Sequence, residues 1–152
     1  MQSIMEATQA LKTHIERIGL PVAAQDWLLM LWETILFFDD VVDGEPIKHE
    51  VKIASIWYAL IAMPQNAFYL QNAQALAPLM TCAFLKWKAS DDAEREGLAD
   101  EKSFMWRASY YDVLLGVVSM CKGADVSIPL AKSILGLYAE KYEDYKQEFE
   151  HA

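Results

Sequence analysis

Apolar positions recur with a helical period along the whole chain, and no stretch shows the period-two alternation of a half-buried strand. Proline and glycine fall at helix-length intervals and divide the pattern into about six helices. Ser3, with Glu6 three residues on, has the form of a capping box, opening a first helix that runs to Ile18 before Gly19-Leu20-Pro21. A second covers 23–42 and stops at Gly44-Glu45-Pro46. A third, 47–62, stops before Pro64. The fourth spans 65–96, with Asn66 placed to cap it and a kink expected at Pro78, where an interior proline removes a hydrogen bond. A fifth covers 100–121, before Lys122-Gly123, and a sixth runs over 127–150. The connections are short, so successive helices should be antiparallel neighbours. The expected fold is all-α: a single domain over 1–152, with the apolar helices near 23–42 and 100–121 at its centre.

Several faces can be assigned from spacing. The fifth helix is apolar on nearly every side between Val113 and Val118, as a buried central helix is. Asp26, Glu33 and Asp40 repeat every seven residues on the second helix and make a polar stripe. On the sixth, Ile128, Ala131, Leu135, Tyr138, Tyr142, Tyr145 and Phe149 follow heptad spacing, which suits either a bundle-core stripe or a dimer seam. The run Asp91-Asp92-Ala93-Glu94-Arg95-Glu96 reads as a solvated face or helix end.

Composition adds a partner. At 152 residues the chain is one domain, yet 54% of it is hydrophobic, with five Trp, seven Tyr and six Phe. That is more apolar surface than one small domain buries, and a homodimer is the simplest cover for it. A formal net charge of -9 argues against nucleic-acid binding and against docking on anionic membranes. No run reaches the roughly 20 apolar residues needed to span a bilayer. The N-terminal residues lack the pattern of a signal peptide, so a cytoplasmic location is expected. Cys82 and Cys121 lie in apolar stretches and are expected to be buried, reduced thiols, giving neither a disulfide framework nor a zinc site.

Candidate chemistry gathers at the end of the second helix, in Phe37-Phe38-Asp39-Asp40-Val41-Val42-Asp43-Gly44. A helix C-terminus carries partial negative charge, so acids there are unfavourable, and Asp39 and Asp43 are a like-charged i,i+4 pair. Trp32 and Leu36 lie above them on the same face, which should point inward or along a cleft. Such a cluster needs a cation, a donor set or exposure to water. It can be a helix-end acid cluster in water or paired with Lys48, Lys52 or Arg107. It can equally be a Mg²⁺ site, since Mg²⁺ is held by one or two carboxylates plus substrate phosphates. His49, just past Pro46, is either a surface residue at a helix start or a further ligand. Trp106-Arg107-Ala108-Ser109-Tyr110-Tyr111-Asp112 opens the buried fifth helix. Arg107 and Tyr111 share a face, and Arg107 either pairs with a carboxylate of another helix or grips a phosphate. No Ser/His/Asp or Cys/His arrangement and no glycine-rich phosphate loop can be built from the spacing.

Phe38-Asp39-Asp40-Val41-Val42-Asp43 resembles the first aspartate-rich motif, DDxxD, of the trans-prenyl diphosphate synthases, an all-α family. The resemblance implies that Asp39, Asp40 and Asp43 are Mg²⁺ ligands that bind a diphosphate. It covers six residues of 152. Those synthases are about twice this length; their arginine pair after the motif is replaced here by Lys48 and Lys52 alone, and no second DDxxD follows. Asp40-x-x-Asp43 and Asp91-x-x-Glu94 also resemble, more loosely, the metal-binding ExxE and ExxD pairs of MazG-like nucleotide pyrophosphohydrolases, which are dimeric helical bundles.

Two functions follow from these readings. The favoured one is an acidic, noncatalytic interaction or accessory protein acting as a homo-oligomer. Its profile is shared with small accessory proteins of phage and mobile elements. The alternative is a Mg²⁺-dependent enzyme or binder of a diphosphate-containing ligand, with Asp39, Asp40 and Asp43 on the metal and Arg107, Tyr111 and Lys48 on the ligand.

Overall fold

The computed structural model of the protein describes residues 4–150; Ser3, the expected cap of the first helix, lies outside them, as does His151. The described residues are all-helical. They form α1 (Ile4–Ile18), α2 (Val22–Asp43), α3 (His49–Trp57), α4 (Ala67–Arg95), α5 (Glu101–Trp106), α6 (Tyr110–Lys122), α7 (Ala124–Leu135) and α8 (Tyr142–Glu150). Two of the six expected helices are each broken in two. The 100–121 helix stops at Trp106 and restarts at Tyr110, because hydrogen bonding slips to i→i−3 across Ala108, Tyr111 and Asp112. The 127–150 helix stops at Leu135, and Tyr138 turns away to donate from its hydroxyl to the Phe104 carbonyl (2.9 Å). The expected third helix exists as α3 but widens into a π-helical turn over Tyr58–Ala62, closed by Met63 N–H on the Tyr58 carbonyl. α4 runs unbroken through Pro78.

Side-chain contacts fix the directions. α1 and α2 are antiparallel, with the Trp32 indole donating to Thr8 (2.9 Å). α3 and the π turn carry the chain back along α2, bringing Met63 to the Thr34 hydroxyl (3.6 Å). α4 therefore runs parallel to α2: Asn66 donates to the Ala23 carbonyl at one end (2.9 Å), and Trp87 meets Asp39 at the other (3.3 Å). α6 returns antiparallel to α4, fixed by the Lys86–Asp112 ion pair (2.7 Å). Leu79 of α4 seats its side-chain end on the bare backbone at Gly116, where an added Cβ would displace it. Asn66 caps α4, accepting from Tyr69 N–H as its sequence position suggested.

The core lies between α2, α4 and α6. Trp27, Leu28 and Leu31 of α2, Leu76 of α4, and Val113, Leu114, Val117 and Val118 of α6 are buried. The expectation of a central, all-apolar segment at 113–118 holds. Asp26, Glu33 and Asp40 are exposed, as a polar stripe should be. The heptad seam does not hold on α7. Ile134 is 1% exposed, whereas Leu135 is 63% and Ile128 75% exposed; Leu130, Ile134 and Leu137 face the core instead. Cys82 is exposed and Cys121 half-buried, both free, so neither is the buried thiol expected. Cys82 sits on α4 one position before buried Ala83, and that step turns it away from the core. Among the described residues no helix is long and apolar enough to cross a membrane.

Candidate functional site

α2 and α4 run parallel, so both deliver their C-terminal acids to one end of the bundle. α2 ends on Gly44, whose left-handed backbone (φ 71°) returns its N–H to the carbonyls of Asp40 and Val41. Asp39 and Asp43 turn toward α4, and Asp40 is exposed. The cation at this end is Arg95, the last residue of α4. It lies 3.8 Å from Asp43, 2.9 Å from Asp91, and 3.4 Å from the Val42 carbonyl. One guanidinium thus answers both the acids and the negative end of the α2 dipole. Lys48, Lys52 and Arg107, named from sequence as partners for the cluster, make no ion pair with it. Lys48 caps the backbone start of α3 and is exposed, and His49 follows it as an exposed helix-start residue.

Asp39 is the most buried of the three. Burial pushes its carboxyl above the ordinary value, and Asp43 and Asp40 push it further, against the opposing Trp87 N–H and the charge of Arg107. Among the described residues no group of three or more His, Cys, Asp or Glu side chains stands in an arrangement able to hold a metal ion.

Arg107 occupies the break between α5 and α6, directly behind this end. It lies 3.7 Å from Glu94 and 3.4 Å from Glu140. The guanidinium carbon sits 5.0 Å from the Tyr145 ring centre and 6.0 Å from that of Phe149. Its Nη1 makes no hydrogen bond of good geometry despite the two carboxylates, so the attraction is one of charge. Burial disfavours the cation, but Glu140 and Glu94 more than offset this. Burial likewise raises both Glu94 and Glu140, with Arg107 opposing. Tyr145 donates to Glu94 (3.0 Å) and contacts Ser103 (2.6 Å); burial holds its hydroxyl up at about 12, so it stays a donor. Glu140 lies 3.2 Å from the Tyr138 hydroxyl and shares that group's one proton with the nearer Phe104 carbonyl. Glu94, Glu140 and Tyr145 were not singled out as partners. The only trace of them in the sequence is a helix-end charge run and an aromatic, charge-flanked C-terminal segment. Tyr111 shares neither this cage nor the aspartate end; its hydroxyl donates to the Leu137 carbonyl (3.2 Å).

A second feature is apolar. α3 buries one residue, Ser55, and exposes all eight others. Ile53 is 55%, Ile56 50%, Trp57 57% and Leu60 69% exposed. Their i, i+3, i+4, i+7 spacing sets them on one face, opposite Ser55. The core stripe of α2 (Trp27, Leu31, Thr34) continues at the same spacing to Phe38 and Val41, where nothing covers it: both are 50% exposed. The chain matches no protein-family model, no curated protein and no solved structure.

Proposed function

We propose that the chain is a noncatalytic interaction protein that acts as a homo-oligomer. The observation that carries this reading is the unpartnered apolar surface. The described residues expose 22 large hydrophobic side chains, more than the 19 hydrophobic residues they bury. Scattered exposed leucines are ordinary, but a helix with four large apolar residues on its outer face is the mark of an interface. The cations nearest the acids are committed already: half-buried Arg107 to Glu94 and Glu140, exposed Arg95 to Asp43 and Asp91. Sedimentation equilibrium of the full chain tests the reading. A mass of at least twice 17.3 kDa at micromolar concentration is expected; a monomer up to about 100 µM, a concentration at which even weak pairing shows, would rule it out.

A second reading rests on Asp39. Its raised carboxyl, with Asp43 and Asp40 close by, is the electrostatic state that a divalent cation relieves. In this reading Asp39, Asp40 and Asp43 hold Mg²⁺, and Arg107, Tyr111 and Lys48 would serve a diphosphate-containing ligand. The metal would neutralise diphosphate charge. Arg95 beside Asp43 weighs against the fit, because a positive charge already stands there. Thermal unfolding with and without Mg²⁺ and pyrophosphate decides it. Joint stabilisation of the wild type, absent in Asp39→Asn/Asp43→Asn, supports the metal site; equal responses in both proteins retire it.

A further inference from the structure

We infer that α8 is a latch over Arg107, docking or melting as a unit on α5 while the core of α2, α4 and α6 stays folded, with the negative charge it shares with its seat setting the balance. The latch does not depend on how many copies associate. Its anchors are few and local. Tyr142 and Tyr145 stack on Phe104, with ring centres 5.4 and 5.3 Å away. The Tyr145 hydroxyl reaches Ser103 and Glu94, that of Tyr142 reaches Glu101 (3.3 Å), and Arg107 lies over the Tyr145 and Phe149 rings. These contacts lie on α5, the last turn of α4 and the α5–α6 break. Phe104 and Tyr145 are buried, yet neither belongs to the main hydrophobic core. They make a satellite cluster, and such clusters open separately from the core. Nine residues are too few for a helix to persist undocked, so release melts α8. It would also bare the Phe104 ring and the Arg107 guanidinium, a cation–aromatic pair that the closed form largely covers.

Charge works against the closed form. α8 holds four acids, Glu143, Asp144, Glu148 and Glu150, and one base, Lys146, which pairs with Glu150 in the same helix (4.0 Å). Its seat is acidic as well: Asp91 and Glu94 end α4, Asp100 and Glu101 open α5, and Glu140 precedes α8. Lys102 and Lys141 are exposed, and Arg95 is held by Asp91 and Asp43. Arg107 is left to bind the two sides, and its enclosed Nη1 makes no hydrogen bond of good geometry. Burial raises Glu94 and Glu140 against the charge of Arg107 and a tyrosine hydroxyl each; Asp91 and Glu148 add to the rise at Glu94, and Glu148 and Asp144 to that at Glu140. Release removes the burial and the approach of Glu148, so both values fall on opening. Docking is therefore strongest below the ordinary carboxyl value and weakens as pH rises through the raised values. Arg107 keeps its charge and the Tyr145 hydroxyl, pushed up to about 12, its proton throughout.

Amide hydrogen exchange of the full chain tests the latch, read residue by residue by nuclear magnetic resonance at pH 5.5 and 8.0 and corrected for the intrinsic rate at each pH. The amides of 145–150 should share one protection, roughly a hundredfold below that of 113–118, because they open together and without the core. Their protection should fall roughly threefold or more between pH 5.5 and 8.0. Asp144→Asn/Glu148→Gln removes two of the opposing charges at a half-buried and an exposed position. It should raise the protection of 145–150 at pH 8.0 and lessen the fall. Phe149→Ala, which removes one ring beneath Arg107, should lower it at both pH values. Protection of 145–150 equal to that of 113–118 would make α8 part of the core and overturn the latch. A gradient rising steadily from Glu150 back to Tyr145 would be fraying of a chain end and would overturn it equally. Joint opening that ignores both pH and the Asp144→Asn/Glu148→Gln change would overturn the control by charge.

Discussion

Replacing Arg107 with alanine removes the centre of the polar cage that joins α4, the α5–α6 break and the segment leading into α8. Glu94 is 13% exposed, Arg107 24% and Glu140 32% at the side chain, so the group lies between a surface bridge and a buried one. An exposed ion pair is worth about 0–1 kcal/mol, whereas breaking a buried one by deleting a partner costs about 3–5 kcal/mol. Partial exposure of Glu140 lowers that figure. Lost contact with the Tyr145 and Phe149 rings raises it by about 0.5–2 kcal/mol. The expected cost is about 3 kcal/mol, which for a chain of this length is a fall in Tm of roughly 6–12 °C. The assay is urea unfolding followed by circular dichroism at pH 7.5 and pH 5. The variant should lose less at pH 5. Without Arg107 the two glutamates lose the influence that opposes their raised values, so they take up protons more readily in the folded state and acidification relieves the buried charge. Adding Glu94→Gln and Glu140→Gln to Arg107→Met should restore most of the stability, because the pair is replaced rather than broken. A cost below about 1 kcal/mol, or a cost independent of pH, would refute the cage as a structural element.

Asp39, Glu94 and Glu140 all have folded-state values above the ordinary carboxylate value, so each binds a proton more readily in the folded state and contributes stability on mild acidification. His14, held below its ordinary value by burial and Arg17, works in the opposite direction. Asp39→Asn should therefore gain less in Tm than the wild type as pH is lowered, and an unchanged difference between the two proteins across pH would contradict this. Asn66→Ala removes both the α4 cap and the bond to the Ala23 carbonyl, for a loss of about 2 kcal/mol. Asn66→Asp keeps the acceptor and should lose about half as much in chemical denaturation; no loss in Asn66→Asp would deny the bond across to Ala23, and a loss equal to that of Asn66→Ala would deny the cap.

The helical class, the central 113–118 segment, the Asp26–Glu33–Asp40 stripe and the Asn66 cap were legible because each rests on local spacing. The two breaks were not. Trp106–Tyr110 contains no proline or glycine, and the helix yields there to place Arg107 between Glu94 and Glu140, a tertiary demand with no local mark. Gly136 was present to be read, but the heptad spacing ran straight through it, and period 3.5 cannot say which of Ile134 and Leu135 meets the core. At the aspartate end the sequence identified an electrostatic problem but named neighbours that form no ion pair with the cluster, Arg107 acting on Asp39 only through its charge. Lys48, Lys52 and Arg107 are near in sequence or in helix order, whereas Arg95 arrives because α4 runs parallel to α2. The bare face of α3 had no mark in the spacing; the fold alone shows that among the described residues its outer side chains stay exposed.

The two features of the aspartate half of the molecule have opposite energetic character, and that contrast favours association over chemistry. The acidic end is an unfavourable collection of charge that the chain compensates from within, using Arg95, Arg107, Trp87 and two tyrosine hydroxyls. The α3 arm is uncompensated apolar surface, held in water at roughly 25 cal/mol for each Å² left exposed. Leaving that surface bare is costly, whereas the acids at the end of α2 already have counter-charge close by, so the apolar arm and not the aspartates is where a partner would most lower the energy of the folded chain.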